Sequence, residues 1–440
     1  MKTRFGDRLM YIGGEFVASE SGEWMESVNP ATEEVHGRVP AGTAADVDRA
    51  VQAALKAQEA WAKVSVWERG EIIRKLAAAI VARADEIVAL EAADTGNTIA
   101  SLGGDIHLAK GYLNFVAGLG IEIKGESVPA TVENIHFTMR EPYGVVGRIV
   151  PFNHPFLFAA AHLAAPLIAG NAVILKSPDQ SPLSASLMAE ICHEVLPPGL
   201  VNIVHGQGMV VGDAIVRHKK IHRIGFTGSV GTGMAIQRAA AEVAVKHLSL
   251  ELGGKNPFIA FPDADPDAVA KAAVAGMNFS WSGQSCGSTS RLMLHESIYD
   301  EVVEKIVAAV SAINLGDPSD QASGMGPVNS AGHYRHVTSF IASSLQDGAT
   351  LLTGGKRPAG AQFEKGYWIE PTVYGDVTMD MRVAREEVFG PILSILKWSD
   401  TDEVIEMANC LDLGLTAAVW TNGLKTAMDT VRRMDAGLVW

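Results

Sequence analysis

Gly144-Val145-Val146-Gly147-Arg148-Ile149-Val150-Pro151-Phe152-Asn153-His154-Pro155 is where the chain changes character. Residues 145–150 read as a short apolar strand, and 155–169 as a helix. The same alternation continues. Strands are predicted at 172–175, 201–204 and 223–226, with helices at 182–195, 210–217 and 231–243. Short apolar strands separated by helices indicate a parallel sheet in an α/β domain. A second series starts at Pro257, with strands predicted at 258–261, 291–294, 368–374, 392–397 and 416–420. Helices at 265–281, 298–313, 331–346, 401–410 and 425–434 alternate with them. Two α/β domains follow, joined near Glu251-Leu252-Gly253-Gly254.

Upstream of Gly144 the pattern differs. The first forty residues read as short strands and turns, with a hairpin at 11–17. Apolar residues then recur at spacings of three and four over 43–61, 66–93 and 99–119, which predicts three helices. Thr43 and Asp46 suit a capping box for the first. Residues 121–140 lack helical period and predict two projecting strands, whose edges suit pairing with another subunit.

At 440 residues the chain exceeds a single core. Its net charge of −14, without a Lys/Arg block, argues against a nucleic acid or an anionic membrane as partner. The longest apolar region, 156–175, is interrupted by His162, Pro166, Gly170 and Asn171 and reads as a buried helix, turn and strand. The N-terminus leads into no signal-type apolar core, so a cytoplasmic location is expected. Cys192, Cys286 and Cys410 are widely spaced and form no CxxC, which indicates neither a disulfide framework nor a cysteine-rich metal site.

Several stretches carry chemistry. Gly283-Gln284-Ser285-Cys286-Gly287-Ser288 places a thiol on a glycine-flanked turn between a helix and a strand. With the upstream carboxylate Glu251 it would make a nucleophile and a base; read alone, a free cysteine such as Cys286 is more often a small buried hydrophobe. Phe226-Thr227-Gly228-Ser229-Val230-Gly231-Thr232-Gly233 follows a strand and opens a helix, so it is either a phosphate site or an ordinary capped helix. It contains no GxGxxG fingerprint. Lys176-Ser177-Pro178-Asp179 follows a buried strand, where ligands bind in such sheets; incidental loop charges are the alternative. Asn153 offers a neutral donor for an oxyanion, while His154 reads as packing or pocket lining. Glu386-Glu387-Val388-Phe389-Gly390-Pro391 is either a nucleoside contact or a solvated acidic turn.

Taken in order, these stretches resemble the aldehyde dehydrogenase superfamily, over nearly the whole chain from Tyr11 to Trp440. The resemblance implies a Rossmann-like cofactor domain (1–120 and 141–252), a small β oligomerisation arm (121–140) and an α/β catalytic domain (253–440). Cys286 would be the nucleophile, Glu251 the base that activates water, and Asn153 the oxyanion donor together with the Cys286 N–H. Lys176 and Asp179 would hold the adenosine ribose. Thr227, Gly228 and Ser229 would lie by the pyrophosphate, Glu387 at the nicotinamide ribose, and Phe389, Ile149 and Phe152 beside the cofactor.

The implied cofactor is NAD, with NADP as the alternative because the family's Lys-Pro-Ser/Ala-Glu is Lys-Ser-Pro-Asp here. No metal is implied. The implied product is a free carboxylic acid, since a CoA-dependent relative would need no Glu251. A homodimer or homotetramer is expected. Phe152, His154, Phe156, Trp281 and Ser285 are expected near the substrate channel and suggest a mid-sized apolar or aromatic aldehyde. Family members continue for some tens of residues beyond the position of Trp440, and that tail lines the channel.

Overall fold

The computed structural model describes residues 4–440. It divides into two compact units. Among the described residues, the first comprises 4–28, 35–94 and 102–251; the second comprises 29–34, 95–101 and 252–440.

In the first unit, β1 (Met10–Ile12) and β2 (Glu15–Val17) form the expected hairpin. A second antiparallel pair, β3 (Trp24–Val28) and β4 (Val35–Pro40), falls within the short strands and turns expected over the first forty residues. Then come α1 (Ala44–Trp61), α2 (Val66–Ala82), α3 (Ala84–Thr95) and α4 (Ile99–Leu119). Thr43 and Asp46 form the capping box of α1, and Ser65 and Glu68 that of α2. The single helix expected over 66–93 is two, broken at Arg83. The short antiparallel strands β5 (Ser127–Pro129) and β6 (Ile135–Phe137) are exposed throughout.

The alternating part follows as β7 (Val145–Ile149), α5 (Pro155–Ile168), β8 (Ala172–Lys176), α6 (Leu183–Val195), β9 (Val201–Val204), α7 (Asp213–Arg217), β10 (Ile221–Thr227), α8 (Val230–Ala241) and β11 (His247–Glu251). A π-helical turn, Gly208–Gly212, precedes α7. The sheet order is β11-β10-β7-β8-β9-β1-β2, with β7 to β11 parallel. Successive strands run outward from β7 on one side to β9 and then cross to β10 on the other. That reversal opens a crevice at the carboxyl ends of β7 and β10. β7, β8 and β9 are buried almost throughout, which explains their continuous apolar runs.

The second unit contains β12 (Pro257–Ala260), α9 (Pro266–Gly276), β13 (Arg291–His295), α10 (Tyr299–Ser311), α11 (Ala331–Gln346), β14 (Thr350–Thr353), β15 (Thr372–Gly375), α12 (Arg382–Arg385), β16 (Ile392–Trp398), α13 (Thr401–Asn409), β17 (Thr416–Trp420), α14 (Leu424–Val431) and β18 (Leu438–Val439). Its sheet order is β14-β15-β16-β13-β12-β17-β18, parallel except for β14. Two apolar clusters fill its core, one around Met293, Phe340 and Leu396 and one around Leu292, Val302 and Ile395. Alternate residues of β13 thus supply opposite clusters, as the strand period requires. The helix expected over 265–281 ends at Gly276. Asn278 takes a left-handed conformation (φ 56°) before a 3₁₀ turn, Phe279–Trp281. Both units are α/β, as expected.

Candidate active site

In the first unit the candidate residues stand at the carboxyl ends of parallel strands. Ile149 ends β7, and the chain turns through Phe152 and Asn153 into α5. Among the bonds that fix that turn, Ser181 Oγ donates to Phe152 O (3.0 Å), and Phe156 N–H donates to Glu91 Oε1 (2.7 Å). Asn153 is buried, and His154 Nδ1 pairs with Asp105 Oδ2 at 2.8 Å. Glu91 is fully buried among Asp105, Asp94 and Ser184. Burial pushes its carboxyl up to about 8, with the Asp105 charge adding to the shift. Phe156 is 1% exposed, so it belongs to the core of this unit rather than to an open wall.

Lys176 ends β8 with its side chain 2% exposed. Its ammonium donates to Ser177 O (2.8 Å) and Asp179 Oδ1 (2.5 Å). Burial lowers the Lys176 pKa, and the Asp179 charge opposes that shift. The other Asp179 oxygen accepts the Gly208 N–H at 2.9 Å. Thr227 ends β10 beside Glu251, the last residue of β11. Gly228 N–H donates to Glu251 O (3.0 Å), and Ser229 caps α8 by accepting the Thr232 N–H. Ser229, Val230 and Gly231 are exposed, and a Cβ on Gly231 would meet nothing within 4 Å. The first turn of α8 therefore presents backbone donors to an open surface, the arrangement that suits an anion. The Glu251 side chain is exposed in part, and burial of the remainder raises its pKa. The β11 strand that carries it is absent from the sequence reading.

In the second unit the candidate residues precede their strands. Three segments converge there: 252–256 before β12, 283–288 before β13 and 387–391 before β16. Asn256 Nδ2 donates to Cys286 O (2.7 Å) and Ser288 O (3.0 Å). Gly254 N–H donates to Glu387 Oε1 at 3.0 Å. A Cβ on Gly253 would lie 2.0 Å from Glu387 Oε2, so only glycine lets that carboxylate lie over the backbone. Gly283, with φ +67°, packs against the Gly390 carbonyl, where a Cβ would stand 2.2 Å from the oxygen. Phe389 also has positive φ (52°), and its carbonyl accepts from His333 Nε2 at 2.6 Å.

Charges in this cluster are deeply buried. The Glu387 pKa is raised by burial, opposed by the Gly254 N–H and the Lys255 charge. Lys255 is fully buried, and its ammonium has no hydrogen-bond partner among the described residues. Burial and the Arg291 charge push its pKa down to about 7. Arg291 is itself fully buried and donates to Lys255 O (2.8 Å), Met407 O (2.9 Å) and Ala408 O (2.9 Å). The last two carbonyls belong to the final turn of α13, where a cation is favoured.

Cys286 is half-buried on its turn, Cys192 is buried and Cys410 exposed; none of the three is in a disulfide among the described residues. No three His, Cys, Asp or Glu side chains are grouped to hold a metal among the described residues. No helix among them is long and apolar enough to cross a membrane.

One α/β unit presents an anion-ready helix start at its switch point, the arrangement of a nucleotide-dependent enzyme, and the other carries a thiol on a braced turn. Residues 16–440 match the model of the aldehyde dehydrogenase family. The aldehyde dehydrogenase tropH of Talaromyces stipitatus is 42% identical over 438 residues, covering 98% of this chain and 85% of that protein. The NAD+ complex of aldehyde dehydrogenase from Bacillus cereus superposes with a TM-score of 0.95 at 38% identity, covering 99% of this chain and 88% of that one. A 3,6-anhydro-L-galactose dehydrogenase in complex with NAP, the NADP-type cofactor, reaches a TM-score of 0.96 at 33% identity, with 99% and 91% covered. The chain belongs to the aldehyde dehydrogenase family, the NAD(P)-dependent oxidoreductases that act on aldehydes.

Proposed function

We propose that the protein oxidises an aldehyde to the free carboxylic acid with NAD, using Cys286 as nucleophile, Asn153 as oxyanion donor and Glu251 as general base. The observation that carries this reading is the built turn at Cys286. Its backbone is braced by Asn256 and packed through Gly283 against the 387–391 segment.

The residues fit a dinucleotide. The exposed start of α8 offers backbone N–H groups to a pyrophosphate. Lys176 and Asp179 offer a donor and an acceptor to a ribose. Glu387 offers the second ribose a carboxylate. Asp179 already accepts from Lys176 and Gly208, which limits its repulsion of a 2′-phosphate. NADP is therefore the second cofactor to test. When bound, the cofactor supplies the acceptor for the hydride that leaves the aldehyde carbon, so a thioester remains on Cys286.

The chain's own groups do the rest. The Cys286 thiolate adds to the aldehyde carbon, and the carbonyl oxygen becomes an oxyanion. The Asn153 amide and the Cys286 N–H stabilise that charge. Glu251 takes a proton from water, which attacks the thioester and expels the thiolate, releasing the acid. Its raised pKa makes it a stronger base than a surface glutamate.

The 121–140 strands serve as an oligomerisation arm in a homodimer or homotetramer. Residues 1–120 and 141–252 bind the cofactor, and 253–440 carry the nucleophile. The substrate is a mid-sized apolar or aromatic aldehyde, and the location is cytoplasmic.

The test pairs two variants in a stopped-flow assay of NADH formation with an aldehyde panel. C286S should give no NADH. E251Q should give one burst, at about one equivalent per site, and then stall. Sustained turnover by either variant rules out the role assigned to that residue.

A further inference from the structure

Asn256 is a single buried residue that touches the nucleophile's backbone and carries no assigned role. The residue is 1% exposed, and both polar atoms of its side chain are engaged. Nδ2 donates to Cys286 O at 2.7 Å and to Ser288 O at 3.0 Å, while Oδ1 accepts the Thr416 N–H at 3.1 Å. Its own carbonyl accepts the Arg291 N–H at 3.2 Å. The amide has only one orientation that works, because the flipped form would set Oδ1 against two carbonyl oxygens.

We infer that Asn256 is a positioning residue for Cys286: its carboxamide gathers the carbonyls on both sides of Gly287 and so fixes the direction of the thiol. This inference rests on Cys286 being the nucleophile. Holding Cys286 O fixes the backbone torsion that follows the Cys286 Cα. Holding Ser288 O fixes the far side of the same turn. Gly287 between them has no contact closer than 3.9 Å for a Cβ, so the turn has no steric brace of its own there. Gly254 completes the device. A Cβ at that position would stand 2.6 Å from Asn256 Oδ1 and 2.9 Å from Cys286 O. Gly254 is not among the glycines of positive φ, so an alanine there acts through this crowding rather than through backbone strain.

The competing role for Asn256 is a plain brace between the starts of β12 and β17, through the Thr416 N–H. A brace affects stability alone. A positioning residue affects the chemistry of the thiol in a protein that still folds. The test follows alkylation of Cys286 by iodoacetamide in the cofactor-free protein, read on the Cys286 peptide by mass spectrometry because Cys410 is exposed. N256D keeps an oxygen for Thr416 but turns an ionised carboxylate toward two carbonyls.

The alkylation rate and kcat of N256D should fall about 10- to 100-fold. The defect should grow as pH rises and the carboxyl ionises, with cofactor affinity within about twofold of wild type. N256A should show the same loss without the pH trend. If the Asn256 variants fail to fold, G254A decides, and it should also slow alkylation. A wild-type alkylation profile and kcat in folded N256D and N256A, or in G254A where those do not fold, overturns the inference. Activity in C286S would instead sink the nucleophile reading on which it rests.

Discussion

In the first unit the candidate site residues follow their strands; in the second they precede them. Asn153 comes after β7, Lys176 and Thr227 end β8 and β10 with Asp179, Gly228 and Ser229 just beyond, and Glu251 ends β11. Gly254 to Asn256, Cys286 and Glu387 come before β12, β13 and β16. The carboxyl end of a parallel strand leads into a helix start, so that edge is rich in backbone donors. It suits an anionic cofactor. The amino end of a strand follows a helix end, so that edge is rich in carbonyls. Those carbonyls are met by side-chain donors: Asn256 on Cys286 O and Ser288 O, Arg291 on Met407 O and Ala408 O, and Ser282 on Gly326 O. The first edge presents backbone donors, and the second is tied together by side-chain donors.

The largest expected effects concern charge, where the units differ in sign. Glu91 anchors the α5 start as a buried acid, and Lys255 lies in the second unit as a buried base. An unfolded glutamate releases its proton near pH ~4.3, while Glu91 keeps its proton to about 8. Between those values the folded state holds more protons, so stability falls as pH rises. E91Q keeps an oxygen for the Phe156 N–H and should remove that slope, gaining on wild type as pH rises through the window. Lys255 behaves in reverse. The unfolded side chain holds its proton to about 10.4, and the folded one releases it near 7. Stability from this group therefore rises with pH between those values, and K255M should flatten the rise. Denaturant midpoints across about pH 5 to 10 check both. Curves parallel to wild type would deny that either group is buried as described.

A matched pair of glycines tests backbone against side-chain construction. G283A meets the Gly390 carbonyl at 2.2 Å from a φ of +67°, and neither backbone can yield cheaply. It should cost about 3 kcal/mol in a denaturant titration and disturb the Cys286 turn. G231A enters open space at the start of α8 and should leave stability within about 0.5 kcal/mol. It should nevertheless weaken NADH binding about tenfold by fluorescence titration, because the methyl would stand where the proposed pyrophosphate site meets the helix start. Unchanged binding in G231A would move the pyrophosphate away from α8.

The fold was legible wherever apolar runs were long and buried on both faces. β7, β8, β9, β12 and β13 fall within a residue or two of the sequence reading. β11 escaped it because His247-Leu248-Ser249-Leu250-Glu251 is a short, partly exposed edge strand at one end of the sheet. The breaks at Arg83 and Asn278 escaped because helical periodicity continues across them; at the second, the residue that turns left-handed is an asparagine two positions beyond Gly276. At the site, the chemistry-bearing residues stood out by type, whereas their supports did not. Asn256 precedes a proline at the start of a strand, and such a residue reads as a turn former. Nothing in its neighbours announces a donor to a carbonyl thirty positions later. The seat of Glu387 depends on a missing Cβ at Gly253, which becomes visible only with the backbone in place.

The smallest expected effect separates the two edges most cleanly. Ser229 caps α8 by accepting the Thr232 N–H at 3.3 Å. S229A should cost about 1 kcal/mol, and S229G a few tenths. The alanine variant leaves the Thr232 N–H without its acceptor at the helix start, where a bound pyrophosphate brings new ones. Its penalty should therefore shrink when thermal unfolding is repeated with saturating NAD. A penalty that grows with NAD instead would mean that the Ser229 hydroxyl itself holds the cofactor. No such recovery is expected for N256A, because the groups it abandons are carbonyls, and a phosphate supplies no donor to a carbonyl.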